Sequence, residues 1–135
     1  MLKKTITILI DTNALMAIFQ ERFDLFSALE QAFPYPTTLA VLSGTLTELQ
    51  QLASLGKTKD AKAAKLSLQL LEAKHLKIIP HPQDMSVDDA LVAYASPTTI
   101  ILTQDRILQK RLKQKPAPYL VIRKKKYVEL IGHVL

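Results

Sequence analysis

Hydrophobic residues fall into short runs that alternate with stretches of helical spacing. The first run covers residues 5–10, where Thr and Ile alternate before a continuous apolar segment. Such a run predicts a strand that is buried on both faces. Asp11 ends the run, and a helical pattern over 13–19 follows, with Thr12 or Asn13 as its expected N-terminal cap. Asp11 is therefore expected at a sheet edge, where ligands bind in open α/β proteins.

The alternation of strand and helix continues along the chain. Further strands are predicted at 39–42, 76–79, 98–102 and 119–122. Helices are predicted over 23–33, from Ser43 or Thr45 to 55, over 58–73, from Ser86 to the residues before Pro97, and over 104–113, the last capped by Thr103. The pattern leaves the type of 123–130 open. This order predicts one α/β domain over 1–135, a three-layer α/β/α sandwich around a mainly parallel five-stranded sheet.

Acidic residues recur where a predicted strand gives way to a helix. Because crossovers between parallel strands are right-handed, the starts of these helices share one sheet edge. The acids expected at that edge are Asp11, Glu48, Asp88, Asp89 and Asp105. Each also has a purely structural explanation, as a turn residue, a capping-box member or a partner of the helix dipole. As a group they repel, by about 4 kcal/mol for two charges roughly 4 Å apart, and so require a cation.

The type of ligand narrows the identity of that cation. The chain has no cysteine, and its three histidines are scattered. Oxygen ligands alone select Mg²⁺ or Mn²⁺. One or two such ions held by several acids form the arrangement used to hydrolyse phosphodiesters. The acids therefore predict a metal-dependent site for phosphodiester hydrolysis.

The amino-acid composition indicates where the protein is located and what type of partner it binds. With 48% hydrophobic and 22% charged residues, the chain is expected to be globular. No apolar run approaches the roughly 20 residues of a membrane helix, and the lack of cysteine fits an intracellular protein, so we expect a cytoplasmic location without membrane contact. The net charge of +6 indicates a polyanionic partner such as nucleic acid, although a solubilising surface explains it too.

Four segments carry a family resemblance. Residues 10–13, 45–49, 88–95 and 102–108 resemble, in order, the four sequence blocks of PIN domains. The second block lacks the proline that many members carry after the second strand, and Leu42 stands near that place. The ending over 119–130 is similar to archaeal PIN proteins of the ribosomal-RNA-processing branch.

The resemblance implies an endoribonuclease that uses Mg²⁺ or Mn²⁺ to hydrolyse single-stranded RNA, in the processing of ribosomal RNA. It implies a 5′-phosphate and a 3′-hydroxyl as products. By matching position, the metal-binding catalytic acids are Asp11, Glu48, Asp89 and Asp105, with Asp88 as an adjoining candidate. Thr12, Asn13 and Thr103 are expected to orient ligands or water.

Basic residues are the expected contacts to RNA phosphates, with a solvated surface as the alternative. Those singled out are Lys57, Lys62, Arg106, Lys110, Arg123, Lys124 and Lys125. Three other readings stay open: a VapC-like toxin ribonuclease with an antitoxin partner, a non-catalytic RNA- or protein-binding module, and, least favoured, a flavodoxin-like phosphoacceptor. A processing nuclease implies a ribosome-assembly partner, and the apolar segment 19–33 offers a homodimer face or part of the core.

Overall fold

The computed structural model describes residues 5–133, so the first four and last two residues of the predicted domain lie outside the described residues. The strands are β1 Ile6–Ile10, β2 Thr37–Leu42, β3 Lys77–Ile79, β4 Thr99–Leu102, β5 Tyr119–Arg123 and β6 Tyr127–Ile131. The helices are α1 Thr12–Gln20, α2 Leu25–Ala32, α3 Ser43–Ala53, α4 Lys59–Ala73, α5 Val87–Tyr94 and α6 Arg106–Gln114. Within the described part of the chain, no helix is both long and apolar enough to cross a membrane.

The strands form one sheet in the order β3-β2-β1-β4-β5-β6. The first five are parallel, and β6 runs antiparallel to β5. The sheet therefore has one strand more than the five predicted, because the segment after β5 folds back as a hairpin. A flavodoxin-like phosphoacceptor has the strand order 2-1-3-4-5, so this topology is wrong for that alternative.

Two apolar clusters lie on opposite faces of the sheet. Alternate β1 side chains separate between them: Ile8 joins the cluster formed with α1 to α4, and Leu9 joins the one formed with α5 and α6. This division gives three layers, so the predicted α/β/α class is confirmed. Phe23 and Phe33 are each only 4% exposed within the first cluster, so much of the segment proposed for a homodimer face is core.

Several helices begin differently from the sequence prediction. Asp11, not Thr12 or Asn13, caps α1. Asp105, not Thr103, caps α6 and so precedes its first turn. Helix α3 starts directly after β2 without a side-chain cap, so the expected capping box ending at Glu48 does not form. These starts place polar side chains at the carboxyl end of the sheet.

Strand β1 lies in the middle of the sheet, between β2 and β4. The chain runs outward from β1 to β2 and β3 on one side, and continues from β4 to β5 on the other. Such a reversal of strand order opens a crevice at the carboxyl ends of the strands, where ligands bind. Asp11 follows β1 at this point.

Candidate functional site

Asp11 is a buried carboxylate that is fixed through both of its oxygens. It is 4% exposed. Its Oδ1 accepts a 2.8 Å hydrogen bond from the backbone N–H of Thr12, and its Oδ2 accepts a 2.7 Å bond from the Thr103 hydroxyl. The first bond starts α1 and the second connects the ends of β1 and β4. The side chain is therefore held rigidly at the centre of the sheet edge.

Burial raises the pKa of Asp11 from 3.8 to about 6. The hydrogen bonds from Thr103 and Thr12 act in the opposite direction, since they favour the charged carboxylate. The negative charges of Asp88 and Glu48 raise the pKa further. Asp11 is thus a carboxylate that a nearby cation would strongly stabilise in its ionised form.

Glu48 approaches Asp11 from α3. Its Oε1 lies 3.1 Å from the Thr12 hydroxyl, which donates to it. The same hydroxyl is 3.2 Å from that of Thr45, which is fully buried. Thr12 therefore bridges the two acid-bearing elements, with its backbone N–H on Asp11 and its hydroxyl on Glu48.

Asp105 and Thr103 come from the end of β4. Asp105 Oδ1 accepts hydrogen bonds of 2.8 and 3.3 Å from the backbone of Ile107 and Leu108. The Thr103 hydroxyl donates to Asp11 and accepts a 3.1 Å bond from the backbone N–H of Asp105. Capping uses only Oδ1 of Asp105, while Thr103 ties the two acids to each other.

The two neighbouring aspartates of α5 point to different surroundings. Asp88 lines the same cavity as Asp11, Glu48 and Asp105, whereas Asp89 is not among its lining residues. Asp89 instead forms a 2.7 Å ion pair with Arg111 of α6, with both side chains about half exposed. The structure therefore brings Asp88, and not Asp89, to the other three acids.

The environment of Asp88 supports this distinction. Its partial burial is the largest cause of a raised pKa, followed by the charge of Asp105, and the charge of Asp89 adds to both. The guanidinium of Arg111 acts against this shift. Asp88 is thus electrostatically coupled to the acids of the cavity, at its more exposed side.

The cavity has a volume of about 510 Å³. Its lining consists of Asp11, Thr12, Asn13, Met16, Glu48, Leu52, Ser86, Val87, Asp88 and Asp105. In the part of the chain that the structure describes, ion pairs involve only two other acids, Asp89 and Glu129. Four carboxylates thus share the cavity without a paired side-chain cation.

A divalent cation fits this set of donors. All four acids offer oxygen ligands, which Mg²⁺ and Mn²⁺ prefer. Among residues 5–133 no group of three or more His, Cys, Asp or Glu side chains is already closed into a metal site. The donors therefore match the cation in chemistry, and binding it requires their side chains to move closer together.

The candidate RNA-binding residues fall into two groups. Arg106, Lys124 and Lys125 are exposed near the carboxyl ends of β4 and β5, the edge that carries the acids. Arg123 lies beside them and pairs with Glu129 at 2.9 Å. Lys110 follows one turn after Arg106 on α6.

Lys57 and Lys62 lie elsewhere. The start of α4 is fixed to the end of α1 by a 3.0 Å hydrogen bond from Gln20 to Asp60. That end of α1 is about 13 Å from Asp11, given the rise of the helix. The structure therefore separates these two lysines from the acidic cavity.

The cavity has supports that the sequence pattern did not single out. Gln104 replaces a strand partner, since its Oε1 accepts a 2.9 Å bond from the backbone N–H of Ile122. Its own backbone N–H donates to Asn13 Oδ1 at 3.1 Å. Position two residues after the end of β4 is the one sequence signal that Gln104 carries, and polar residues are common there.

Comparison with known proteins gives relatives of similar length. The chain is 28% identical over 126 residues to "Ribonuclease VapC4" of Methanocaldococcus jannaschii, covering 92% of this chain and 95% of that one. It is 29% identical over 126 residues to "Ribonuclease VapC9" of Archaeoglobus fulgidus, covering 90% and 88%.

Solved structures share the fold. The PIN domain endonuclease Utp24 superposes with a TM-score of 0.75 at 21% identity, over 96% of this chain and 95% of that one. A domain of a functionally unknown Methanocaldococcus jannaschii protein gives a TM-score of 0.52 at 15% identity, over 96% and 98%. The sequence pattern described as "PIN like domain" matches residues 8–125, which span all four acids of the cavity, and the chain therefore belongs to the PIN-like domain family.

Proposed function

We propose that this protein is a divalent-metal-dependent endoribonuclease that hydrolyses single-stranded RNA. The observation that carries the proposal is the cavity at the carboxyl end of the parallel sheet, where four acids meet without a paired side-chain cation. Its relatives from two archaea are both named ribonucleases, and its family is the PIN-like domain family, which supports the same activity.

In this proposal Asp11, Glu48, Asp88 and Asp105 hold one or two Mg²⁺ or Mn²⁺ ions. The chemistry that an ion held by these residues would supply is polarisation of the phosphate and activation of water at neutral pH. Thr103 and the Thr12 backbone orient Asp11, and the Thr12 hydroxyl orients Glu48, so that these two acids start from defined positions when the ligands close on an ion.

The pairing of Asp89 with Arg111 supports a different role for Asp89 from the one that its sequence position suggests. Asp89 orients Arg111, whose cationic end acts on Asp88 from the rim of the cavity. A cation at that place is suited to contact an RNA phosphate next to the reacting one. We therefore assign the third metal-binding position to Asp88 and the rim to Asp89.

The RNA path runs over the hairpin between β5 and β6. Lys124 and Lys125, at its tip, adopt φ values of 54° and 55°, in the left-handed region that glycine or asparagine usually occupies. Retaining lysine there costs backbone energy, which is the kind of strain found at functional sites. These cations lie at the acidic edge and are suited to bind phosphates that flank the cleavage site.

The direct test is cleavage of a fluorescent single-stranded RNA with Mn²⁺, Mg²⁺ or EDTA, beside DNA of the same sequence. We expect cleavage of RNA only with metal, and loss of cleavage in Asp11→Asn. Asp24→Asn is the matched control, because Asp24 caps α2 in solvent. Full cleavage by Asp11→Asn or in EDTA contradicts the proposal, and metal-independent RNA binding without cleavage favours a non-catalytic module.

A ribosomal-RNA substrate is our preferred assignment, and it implies contact with an assembling ribosome. The resemblance of residues 119–130 to PIN proteins of the ribosomal-RNA-processing branch supports this assignment, and the basic hairpin in that segment agrees with it. The test is sequencing of RNA ends in cells that lack the protein. Accumulation of unprocessed ribosomal RNA supports the assignment, and normal ends contradict it.

A toxin role is the second candidate, because both archaeal relatives carry the name VapC. In that case the cellular partner is an antitoxin that blocks the acidic cavity. Induced expression distinguishes the two roles: a toxin arrests growth through its nuclease activity, and Asp11→Asn relieves the arrest. Growth without arrest, together with specific ribosomal cleavage, favours processing.

A further inference from the structure

His81 lies against the first turn of α3, in a space that only a glycine leaves open. A Cβ atom at Gly44 would lie 2.5 Å from His81 Nδ1 and 2.9 Å from Val87 Cγ2. Both distances are shorter than real carbon contacts. The absent side chain of Gly44 therefore lets the imidazole ring rest directly on the backbone of α3.

Hydrogen bonds fix the loop that carries His81. Its backbone N–H donates to Ser43 Oγ at 3.1 Å, at the start of α3. Its Nε2 lies 3.0 Å from the carbonyl oxygen of Met85, and since a carbonyl only accepts, Nε2 carries the proton. The preceding Pro80 carbonyl accepts a 2.6 Å bond from the Tyr94 hydroxyl of α5. The loop is thus attached to α3 at one side and to α5 at the other.

These contacts connect the two helices that supply acids from outside the central strand. Helix α3 carries Glu48, and the loop leads through Ser86, the cap of α5, to Asp88. The bond from His81 to Met85 closes the loop just before that cap. The ring therefore lies between the start of α3 and the turn that leads into α5, next to Val87 of that helix.

We infer that His81, seated on Gly44, is a positioning residue that sets the separation of Glu48 and Asp88 and thereby the affinity of the cavity for a divalent ion. This inference rests on the proposed metal-dependent function. Residues that orient metal ligands from outside typically change metal affinity by about 10- to 100-fold when they are replaced. His81 touches neither substrate nor metal in this account.

The test measures Mn²⁺ binding by calorimetry in the full chain, with unfolding by urea recorded for each variant. We expect His81→Ala to weaken Mn²⁺ binding at least about tenfold. His81→Gln, whose amide nitrogen reaches the place of Nε2, should recover most of the affinity. His75→Asn is the matched control, since His75 lies at the end of α4 and makes none of these contacts.

A double-mutant cycle separates positioning from general damage. Gly44→Ala displaces the ring and should weaken Mn²⁺ binding about as much as His81→Ala. In the His81→Ala background the same change should add less than it does alone, because the clash with the ring is gone and only the 2.9 Å approach to Val87 Cγ2 remains. Additive losses overturn the inference, because the two residues then act independently.

The result also distinguishes this inference from the proposed function. Wild-type binding that Asp11→Asn abolishes, but that His81→Ala leaves unchanged, overturns the positioning role alone. Absence of Mn²⁺ binding in the wild type overturns the metal-dependent function and the positioning role with it. Loss of affinity in His81→Ala with recovery in His81→Gln supports both.

Discussion

Asp11 and Asp24 start consecutive helices, and they show how surroundings decide what an aspartate does. Each accepts one bond from a backbone N–H and one from a hydroxyl: Thr12 and Thr103 for Asp11, and Ser27 twice for Asp24. Yet the pKa of Asp11 is raised to about 6, and that of Asp24 is lowered. The same local bonds thus accompany opposite shifts.

The difference lies in what surrounds the bonds. Desolvation is the largest cause of the shift at Asp11, where two more acids add to it, whereas the Ser27 hydroxyl is the largest cause at the exposed Asp24. Hydrogen bonding at a helix start stabilises a carboxylate in water. Only burial next to other acids makes an ionised carboxylate unfavourable unless a cation is bound close to it.

The largest expected difference is catalytic. Asp11→Asn should lower RNA cleavage in Mn²⁺ by roughly a thousandfold, as for loss of a group that stabilises transition-state charge. Asp24→Asn should stay close to wild type, since asparagine also caps helices. Initial rates on a fluorescent RNA measure both. Equal rates for the two variants would contradict a specific role of the buried Asp11 in cleavage.

The two adjoining aspartates of α5 allow the same comparison, between an acid of the cavity and an acid outside it, within one helical turn. Asp88→Asn should lower cleavage by roughly a hundredfold, because it removes an acid of the cavity. Asp89→Asn should lower it less than about tenfold, since it frees an exposed Arg111 whose ion pair contributes little. Single-turnover rates at saturating Mn²⁺ give the ratio. The reverse order would assign the metal to Asp89.

Stability should depend on pH in opposite directions at the two helix starts. Because folding raises the pKa of Asp11, the protonated carboxyl stabilises the folded protein at pH values below its unfolded pKa of 3.8. This stabilisation is lost as the pH rises through about 6. A shift of this size corresponds to about 3 kcal/mol in metal-free protein. Asp11→Asn should therefore unfold at higher urea than wild type at pH 8 in EDTA, and lose that advantage at pH 4.

The exposed carboxylate provides the opposite sign. Because folding lowers the pKa of Asp24, the ionised carboxylate stabilises the folded protein at pH values above its unfolded pKa. This stabilisation is lost as the pH falls through its folded-state pKa. Asp24→Asn should therefore be slightly less stable than wild type at pH 8 and gain relative to it on acidification. Urea unfolding of both variants over the same pH range checks the signs. Parallel curves would contradict the assignment of burial as the cause at Asp11.

The smallest expected effect extends the comparison to cations at the acidic edge and away from it. Replacing Lys124 and Lys125 by glycine should weaken binding of RNA several-fold and reduce its salt dependence. It should also relieve strain and raise stability by about 1 kcal/mol per position. Lys57→Gln with Lys62→Gln should weaken binding less. Filter binding at two salt concentrations tests both pairs, and equal losses would extend the RNA path to α4.

The sequence predicted the elements that rest on strong apolar patterns. The buried runs before Asp11 and Thr103 gave β1 and β4, and the acids after them were expected at one edge, as the fold has them. The segment after β5 escaped prediction because three consecutive lysines at a turn carry none of the glycine or asparagine signals of a hairpin.

Side-chain direction was the part of the site that a linear pattern left open. Asp88 and Asp89 are adjacent, so helix spacing alone separates them by about 100° without saying which faces the cavity. The ion pair with Arg111 directs Asp89 away from the cavity, and Arg111 lies 22 positions from Asp89 in the sequence. The dependence of α5 on His81 was hidden for the same reason, because the space at Gly44 exists only after α3 and the loop have met.

The bond between Thr103 and Asp11 spans 92 positions of the chain. During synthesis β1 is made before β4, so the hydroxyl that holds Asp11 follows the carboxylate by 92 residues. Contacts between such distant segments form late. A nascent chain that contains β1 but not yet β4 therefore lacks the complete acidic cavity, so the order of synthesis itself delays formation of the site.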